Sequence, residues 1–485
     1  MQKKFLTNLS LLVFLNLLIK PFWVLAIDRG VQNAVGSDEY GFYFSLFNFS
    51  FLLNILLDLG ITTYNNRNIA QNQDQLQDQF SKIVSLKAIL ATIYAVVTLA
   101  AGSVIGYSSE QMGLLYIMVF NQFLMSFVLY LRSNLSGLHL FKTDSLLSVL
   151  DRSIMIIICA YLLWGMGSSS IFQIEWFVYA QTVAYAIAAL TALILVVAKA
   201  RFKAIQWDFA FYKSIITKSF PFAVMILLMS FYNRIDSVML ERMLPDGFEQ
   251  AGIYAQGYRL LDASNMMAYL FAVLLLPIFS RMLSTSNGGG KEEILKLLGL
   301  SYSLLIVPAI IVAAAAYSYQ SEIIKLLYTE TTESSSTVLG LLMMCFVAIS
   351  TTYVFGTLLT ANGNLTSLNI MALIGILLNI GLNILLIPQL KAEGAAIASL
   401  STQVTTTLIQ VFLVQYFFKF TVNYKFIGKL ILFGLASFAI GHFSIGVFSN
   451  WKYDAFMMVL ATTTLAFALR LVKAQSIINV LKYKS

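Results

Sequence analysis

Residues 219–242 read SFPFAVMILLMSFYNRIDSVMLER, and this stretch decides the class of fold. From Phe220 to Tyr232 it carries no charge and is apolar almost throughout. The hydrocarbon core of a bilayer, about 30 Å thick, is crossed by roughly 20 helical residues. The run is continuous instead of alternating every second residue, which argues for a helix and against a strand of a transmembrane barrel. Yet Arg234 and Asp236 lie inside it. A charge at the bilayer centre costs about 2.5–3.5 kcal/mol on insertion scales, so a span that keeps two has partners or a use for them.

The rest of the chain repeats the pattern. Of 485 residues, 59% are hydrophobic and 11% charged, with a mean hydropathy of +0.80. A soluble chain runs about 45–50% apolar and about 25% charged. This composition cannot cover a water-facing surface, which excludes a soluble enzyme, a disordered chain and a fibrous repeat. The expectation is an all-α integral membrane protein with about 14 transmembrane helices. The apolar stretches fall near 5–27, 41–64, 83–105, 113–135, 145–166, 175–198, 219–242, 251–283, 294–316, 336–359, 367–387, 394–418, 427–447 and 455–473. Lys3 and Lys4 precede an apolar run, as in a secretory signal. Lys20-Pro21 interrupts that run and no small-x-small cleavage site follows, so it reads as a retained first helix.

The net charge of +8, from 31 Lys and Arg against 23 Asp and Glu, is spread through short gaps between apolar runs. No clustered basic face marks a nucleic-acid partner. With the N-terminus inside, the inner gaps hold about 23 basic residues and the outer gaps about 5, which makes both termini cytoplasmic. Asp38, Glu39, Asp246, Glu249, Glu330 and Glu333 all fall in outer gaps. Cys159 and Cys345 each sit in an apolar run, and His139 and His442 are far apart in the chain, so no metal site is expected.

Three sequence matches suggest an internal duplication. Gly41-Phe-Tyr43 and Gly252-Ile-Tyr254 open spans at an offset of 211; Lys20 and Arg234 are 214 apart; Glu175 and Glu393 are 218 apart. The implied organisation is an N-lobe of six helices (1–200), a C-lobe of six (201–420), and a terminal helix pair with a cytoplasmic tail (421–485). Transporters built from such repeats place their site where the repeats meet.

Lys20, Arg234, Asp236, Arg259 and Asp262 fall at one depth, about 10 Å inside the outer end of their helices at 1.5 Å per residue. Two readings stand. The layer lines a water-filled cavity, with Arg29 at its outer mouth, positive enough to hold an anionic group; or it is a set of ion pairs locking the bundle. Arg259 and Asp262 are spaced i, i+3 and can neutralise each other. Arg234 and Asp236, at i, i+2, point about 200° apart. Asp58, with Asn54 a turn above, is either a proton or cation coupling site or a cap and gating partner for Arg67. The polar run Gln71 to Gln79 reads as a cytoplasmic linker helix. Asn287-Gly-Gly-Gly-Lys291 lacks the upstream Gly and the following Ser or Thr of a phosphate loop, and reads as a flexible turn. No catalytic constellation appears, so the chain is not expected to be an enzyme.

Several strings resemble the polysaccharide and O-antigen flippase family (Wzx-type) of the multidrug/oligosaccharidyl-lipid/polysaccharide exporter superfamily. They are Leu57-Asp-Leu-Gly-Ile61 followed by Tyr64 and Arg67-Asn-Ile-Ala70; Ser219-Phe-Pro-Phe222 leading to Tyr232-Asn-Arg-Ile-Asp236; Gly252-Ile-Tyr254 with Tyr258-Arg-Leu-Leu-Asp262; Pro277 before Arg281; and Glu393-Gly-Ala-Ala-Ile397. The Arg-Ile-Asp string is the most specific. The resemblance implies a flippase for an undecaprenyl-diphosphate-linked oligosaccharide in the bacterial cytoplasmic (inner) membrane, working by alternating access in surface polysaccharide biosynthesis. Lys20, Arg234 and Arg259, with Asp236 and Asp262 beside them, would hold the diphosphate; Asp58, Arg67 and Arg29 would gate or couple. Polar groups such as Asn233 and Gln256 would select the glycan. It implies no cofactor, coupling to a proton or sodium gradient, and as partners the lipid-linked oligosaccharide, membrane lipids and other glycan-assembly proteins. One departure is that the N-lobe supplies a single buried cation. The alternatives are a cation-coupled drug exporter of the same fold, which would favour buried carboxylates, and a membrane-embedded glycan polymerase or ligase. The longest outer gap, near 317–335, has under about 20 residues and no acid–base pair, which disfavours the second.

Overall fold

The computed structural model describes residues 14–16, 18–71, 73–165, 172–200, 206–285 and 291–472. Among them there are helices and turns and no strand. Fourteen α-helices are numbered here in chain order: α1 Arg29–Leu52, α2 Ile61–Gln71, α3 Gln75–Ile105, α4 Ser109–Gly137, α5 Phe141–Ala160, α6 Ile174–Ala200, α7 Phe209–Met243, α8 Gly247–Thr285, α9 Lys291–Ser318, α10 Gln320–Leu327, α11 Glu333–Ala361, α12 Leu365–Phe418, α13 Tyr424–Ser444 and α14 Trp451–Ala468. Ten described helices are long and apolar enough to cross a membrane. The protein is an all-α, multi-pass membrane protein.

Helix number and span number differ because several spans join or break at single residues. A π-helical turn, Trp23–Asp28, runs directly into α1, and Gly36 interrupts that helix at φ 85°, a left-handed angle that glycine adopts without strain. The described part of expected span one thus runs into α1, which the break at Gly36 divides before expected span two. Span two is itself discontinuous: α1 ends at Leu52, a 3₁₀ turn occupies Asn54–Leu57, and the chain restarts as α2 at Ile61 after Leu59 (φ 47°) and Gly60 (φ 79°). The 54-residue α12 carries two expected spans on either side of a break at Lys391, three residues after Pro388. The Gln71–Gln79 run splits: α2 ends at Gln71 and the first turn of α3 begins at Gln75.

The chain divides into two compact units, Met1–Gly252 and Ile253–Ser485. In the first, α1 packs against α7 and α4 against α6. This division is one of packing and falls inside α8, whereas the 1–200 and 201–420 lobes are the division expected from sequence matches. The first turns of α8 meet α1 where neither helix has a side chain. A Cβ on Gly41 would run into the Phe248 carbonyl and approach Gly252 N to 2.7 Å, and one on Gly252 would strike the Ser37 carbonyl. The two glycines that mark the sequence repeat thus lie against each other as the contact that lets these backbones cross. In the second unit, α11 packs between α9 and α12, and α13 and α14 pair against α9.

Candidate functional site

α7 carries the Arg-Ile-Asp string, and its two charges part as the helical angle requires. Asp236 is fully buried, whereas Arg234 is half-buried and faces α1. Its Nη1 donates to Asn48 Oδ1 at 2.8 Å, and its guanidinium lies 4.2 Å from the centre of the Phe51 ring. Asn48 Nδ2 in turn donates to Ser237 Oγ at 2.8 Å, one turn along α7 from Arg234. The positive charge is therefore held in place by an amide dipole and a ring face, and no carboxylate forms an ion pair with it among the described residues. A cation fixed in this way keeps most of its field and can meet an anion.

Lys20 is half-buried on the segment that leads into the π-helical turn. One turn before it, Asn16 Nδ2 donates to Ser148 Oγ at 3.0 Å, which ties this segment to α5. One turn after Ser148 comes Arg152, and the charges acting most strongly on Lys20 are Arg152 and Asp151, followed by Arg132. The Arg152 guanidinium lies 5.3 Å from the Trp23 ring and 5.9 Å from the Tyr185 ring, with Asp151 at 3.8 Å. Arg132 is tied to Asp144 at 2.8 Å.

Tyr185 also borders a small cleft lined by Phe47, Met118, Asn121, Gln122, Met125 and Gln181. Its amides are mostly engaged: Gln181 Nε2 donates to Tyr43 Oη at 2.8 Å and Gln122 Oε1 accepts from Asn54 Nδ2 at 2.6 Å. Asn121 Oδ1, though buried, has no partner.

Asp58 sits in the broken part of span two, where its role is to repair the break. Its carboxylate caps α2 by accepting from Thr62 N at 3.2 Å, and it pairs with Lys87 of α3 at 2.5 Å. Lys87 also donates to the Leu57 carbonyl at 2.9 Å and to Ser126 Oγ at 3.3 Å. Irregular backbone at membrane depth survives only if its polar groups are met by protein or water, and one lysine meets two of them here. The Arg67 side chain lies outside the described residues, so its pairing with Asp58 does too; the partner found is Lys87.

Sequence counting assigns Lys87 and Arg152 to an inner rim, although both fall within their own predicted spans. In the structure Lys87 is 2% exposed. The expectation of a single buried cation in the N-lobe is thereby corrected: Lys20, Lys87 and Arg152 all stand within the first unit. The signal available was position, since Lys87 lies four residues inside the 83–105 stretch and Arg152 seven inside 145–166.

The other expected residues fall as follows. Arg29 opens α1, and its buried Nε has no partner. Asp28 beside it is buried and accepts from Tyr40 Oη at 2.7 Å. In the second unit Arg259 Nη1 lies 4.0 Å from Asp262 Oδ2, the i, i+3 pairing open to them from sequence. Gln256 is buried and donates to the Glu330 carbonyl at 3.0 Å, while Asn233 is half-buried. At the ends of several helices of the first unit, three carboxylates bear on a fourth. Burial, and then Glu175, Asp38 and Glu110, raise the Glu39 carboxyl above its ordinary value. Among the described residues no group of His, Cys, Asp and Glu could hold a metal ion.

A profile of the polysaccharide biosynthesis protein family matches residues 29–283, more than half of the chain. The chain belongs to this family. The match covers α1 to α8 and includes both Arg234-Ile-Asp236 and Arg259 with Asp262, the strings that carry the resemblance in sequence. No curated protein sequence matches the chain. Solved structures do. The lipid II flippase MurJ in an inward closed conformation superposes with a TM-score of 0.73 at 14% identity, covering 97% of this chain and 99% of that one. An inward-facing multidrug resistance MATE transporter of the MOP superfamily gives 0.58 at 14% identity over 84% and 100%. A MOP superfamily transporter from Pyrococcus furiosus, described as having a binding pocket of reversed polarity, gives 0.59 at 15% identity over 86% and 96%. At such identities the likeness establishes a shared fold.

Proposed function

We propose that this member of the polysaccharide biosynthesis family is a flippase. It moves an undecaprenyl-diphosphate-linked oligosaccharide, an O-antigen or similar surface-glycan unit, across the bacterial cytoplasmic membrane by alternating access. Its charge distribution orients it with both termini in the cytoplasm, and its cycle is coupled to a proton or sodium gradient. It has no catalytic role of its own and works beside other glycan-assembly proteins. The observation that carries this reading is Arg234: a guanidinium held by Asn48 and Phe51, with no carboxylate in an ion pair with it among the described residues. A diphosphate carries the negative charge that Asn48 and Phe51 do not supply, with acceptor oxygens for the remaining guanidinium donors. Lys20, whose strongest charged neighbour is another cation, supplies the second positive group. The MATE-like fold also suits a cation-coupled drug exporter, but a cationic drug has no attraction to an unneutralised guanidinium.

The test is complementation of a strain lacking the flippase of its own glycan locus. Arg234→Ala removes surface glycan while membrane-inserted protein and its thermal unfolding stay at parental levels. Full complementation by Arg234→Ala overturns the diphosphate assignment.

A further inference from the structure

Two turns along α7 from Arg234, on the same face, stands Glu241. Seven residues span about 10 Å and bring the helix almost back to the same azimuth. The Glu241 residue is only 8% exposed. Its Oε1 accepts from Gln111 Nε2 of α4 at 3.0 Å and faces Arg242 Nη1 at 3.4 Å. Its Oε2 is buried and has no hydrogen-bond partner among the described residues.

The neighbouring phenol is in the same condition. Tyr107, in the turn between α3 and α4, is buried, and its hydroxyl has no partner either. The fields of Glu241 and Arg242 both act on it. Phe49 of α1 closes against its ring at 5.1 Å, and the Arg242 guanidinium lies 5.5 Å over it. Arg242 also holds the end of α3, donating from Nη2 to the Ile105 carbonyl at 2.5 Å. A carboxylate oxygen left without a donor in a buried place costs the desolvation of a charge. A bound proton removes that cost, since a carboxylic acid needs one acceptor, and a tyrosine hydroxyl can accept or donate as required.

We propose that Glu241 is a proton-binding site, with Tyr107 as its exchangeable hydrogen-bond partner and Arg242 as the group it releases on protonation. The proton passes from water along the Arg242 side chain, which is 34% exposed, to Glu241 Oε2. Ionised, Glu241 accepts from Gln111 and holds Arg242 through Oε1, while Oε2 stays without a donor among the described residues. Protonated, it donates to Tyr107 Oη, and Arg242 keeps only the Ile105 carbonyl. The proton thus sets how firmly the end of α7 is tied to the α3–α4 turn, on the helix that carries Arg234. Arg242 and Tyr107 are the charged or titratable groups that bear on this carboxyl among the described residues. From α4 the nearest other one is Glu110, which belongs to the carboxylate group around Glu39; from the chain after α7 it is Asp246, which accepts from Gln250 at 3.0 Å. The coupling role rests on the flippase reading above; proton binding itself does not.

The test uses the full chain in nanodiscs with an environment-sensitive fluorophore on Gly113→Cys. Gly113 is exposed, and a Cβ there meets open space, two residues from Gln111. Titration over about pH 5 to 8.5 gives a one-proton transition in the parent. Glu241→Gln, which keeps the Gln111 contact, abolishes that transition with unfolding temperature unchanged, and Tyr107→Phe shifts its midpoint. A parent that does not titrate, or a Glu241→Gln protein that titrates like it, overturns the proposal and leaves a bridging water at Oε2. In proteoliposomes a pH gradient accelerates movement of a lipid-linked oligosaccharide by the parent, and in Glu241→Gln the acceleration is lost while gradient-free exchange continues. Absence of any flipping by the parent counts against the flippase reading alone, since the titration decides the proton site separately.

Discussion

Lys87 and Arg234 stand in the same compact unit and answer the same problem in opposite ways. Lys87 is enclosed, its ammonium shared among Asp58, the Leu57 carbonyl and Ser126. Arg234 has an amide, a ring face and, among the described residues, no counter-ion. The first arrangement neutralises a charge to hold broken backbone together. The second fixes the position of a charge without cancelling it. A buried cation is therefore no evidence of a binding site until its partners are known; the partner's chemistry separates scaffold from site.

The largest effect expected from breaking the contrast is at the enclosed end. Lys87→Met leaves Asp58 without its counter-ion and takes the ammonium donor from the Leu57 carbonyl, and removing one member of a buried pair costs about 3–5 kcal/mol. The Asp58 side chain keeps 21% exposure, which places the loss toward about 3 kcal/mol once water screens it. Thermal unfolding of the full chain in detergent measures it. Adding Asp58→Asn restores much of the loss, because asparagine still caps α2 and no bare carboxylate remains. If Lys87→Met unfolds at the parental temperature, the pair is not what holds the break.

The contrast can also be sharpened by converting one arrangement into the other. Asn48→Asp places a carboxylate where Arg234 now meets an amide, with Ser237 able to donate to it. A charged hydrogen bond of this kind adds about 1.5–3 kcal/mol, so the protein unfolds no earlier than the parent. Glycan display falls as steeply as in Arg234→Ala, because the guanidinium is now neutralised. An Asn48→Asp protein that complements fully would mean that Arg234 does not meet the anion as a free charge.

The membrane class, the helical spans and the family are legible in sequence because each is a property of long runs or of a local string. Apolar runs of 20 residues leave the backbone one local solution, and the Arg234-Ile-Asp236 string needs no tertiary knowledge. The partners of each charge were not legible. Arg259 and Asp262 pair because they share a helix face, a relation that spacing can give. Asp58 with Lys87, Arg234 with Asn48 and Glu241 with Gln111 join different helices, and their register depends on packing. The break at Leu59-Gly60 escaped for a related reason. Asp-Leu-Gly reads as unremarkable inside an apolar run, and only the lysine on another helix makes the interruption tolerable. Glu241 lay in full view at the end of a predicted span, where a carboxylate is usually taken as solvated.

The smallest effect expected is at a third ion pair, near the surface, which sets the lower limit of the comparison. Asp208 accepts from Lys82 Nζ at 2.8 Å and caps α7 by accepting from Phe211 N at 3.0 Å. The Lys82 hydrogen bond first, and then the Phe211 amide, hold its carboxyl below the ordinary carboxylate value. A carboxyl with a lowered folded pKa binds its proton more weakly in the native chain than in the unfolded one. Its contribution is therefore complete above the unfolded value of about 3.9 and disappears as pH falls through the lowered native value. Asp208→Asn keeps the cap and loses the ionised acceptor, so its unfolding temperature matches the parent closely at neutral pH and its acid-side slope is shallower. Unfolding profiles of both proteins from neutral pH into the acid range, at low and high salt, read this directly. Salt narrows the difference at Asp208, because water and ions reach both partners, and changes the Lys87→Met loss less, because Lys87 is enclosed and only Asp58 keeps partial exposure. Equal salt sensitivity at the two sites would remove burial as the reason the enclosed pair matters more.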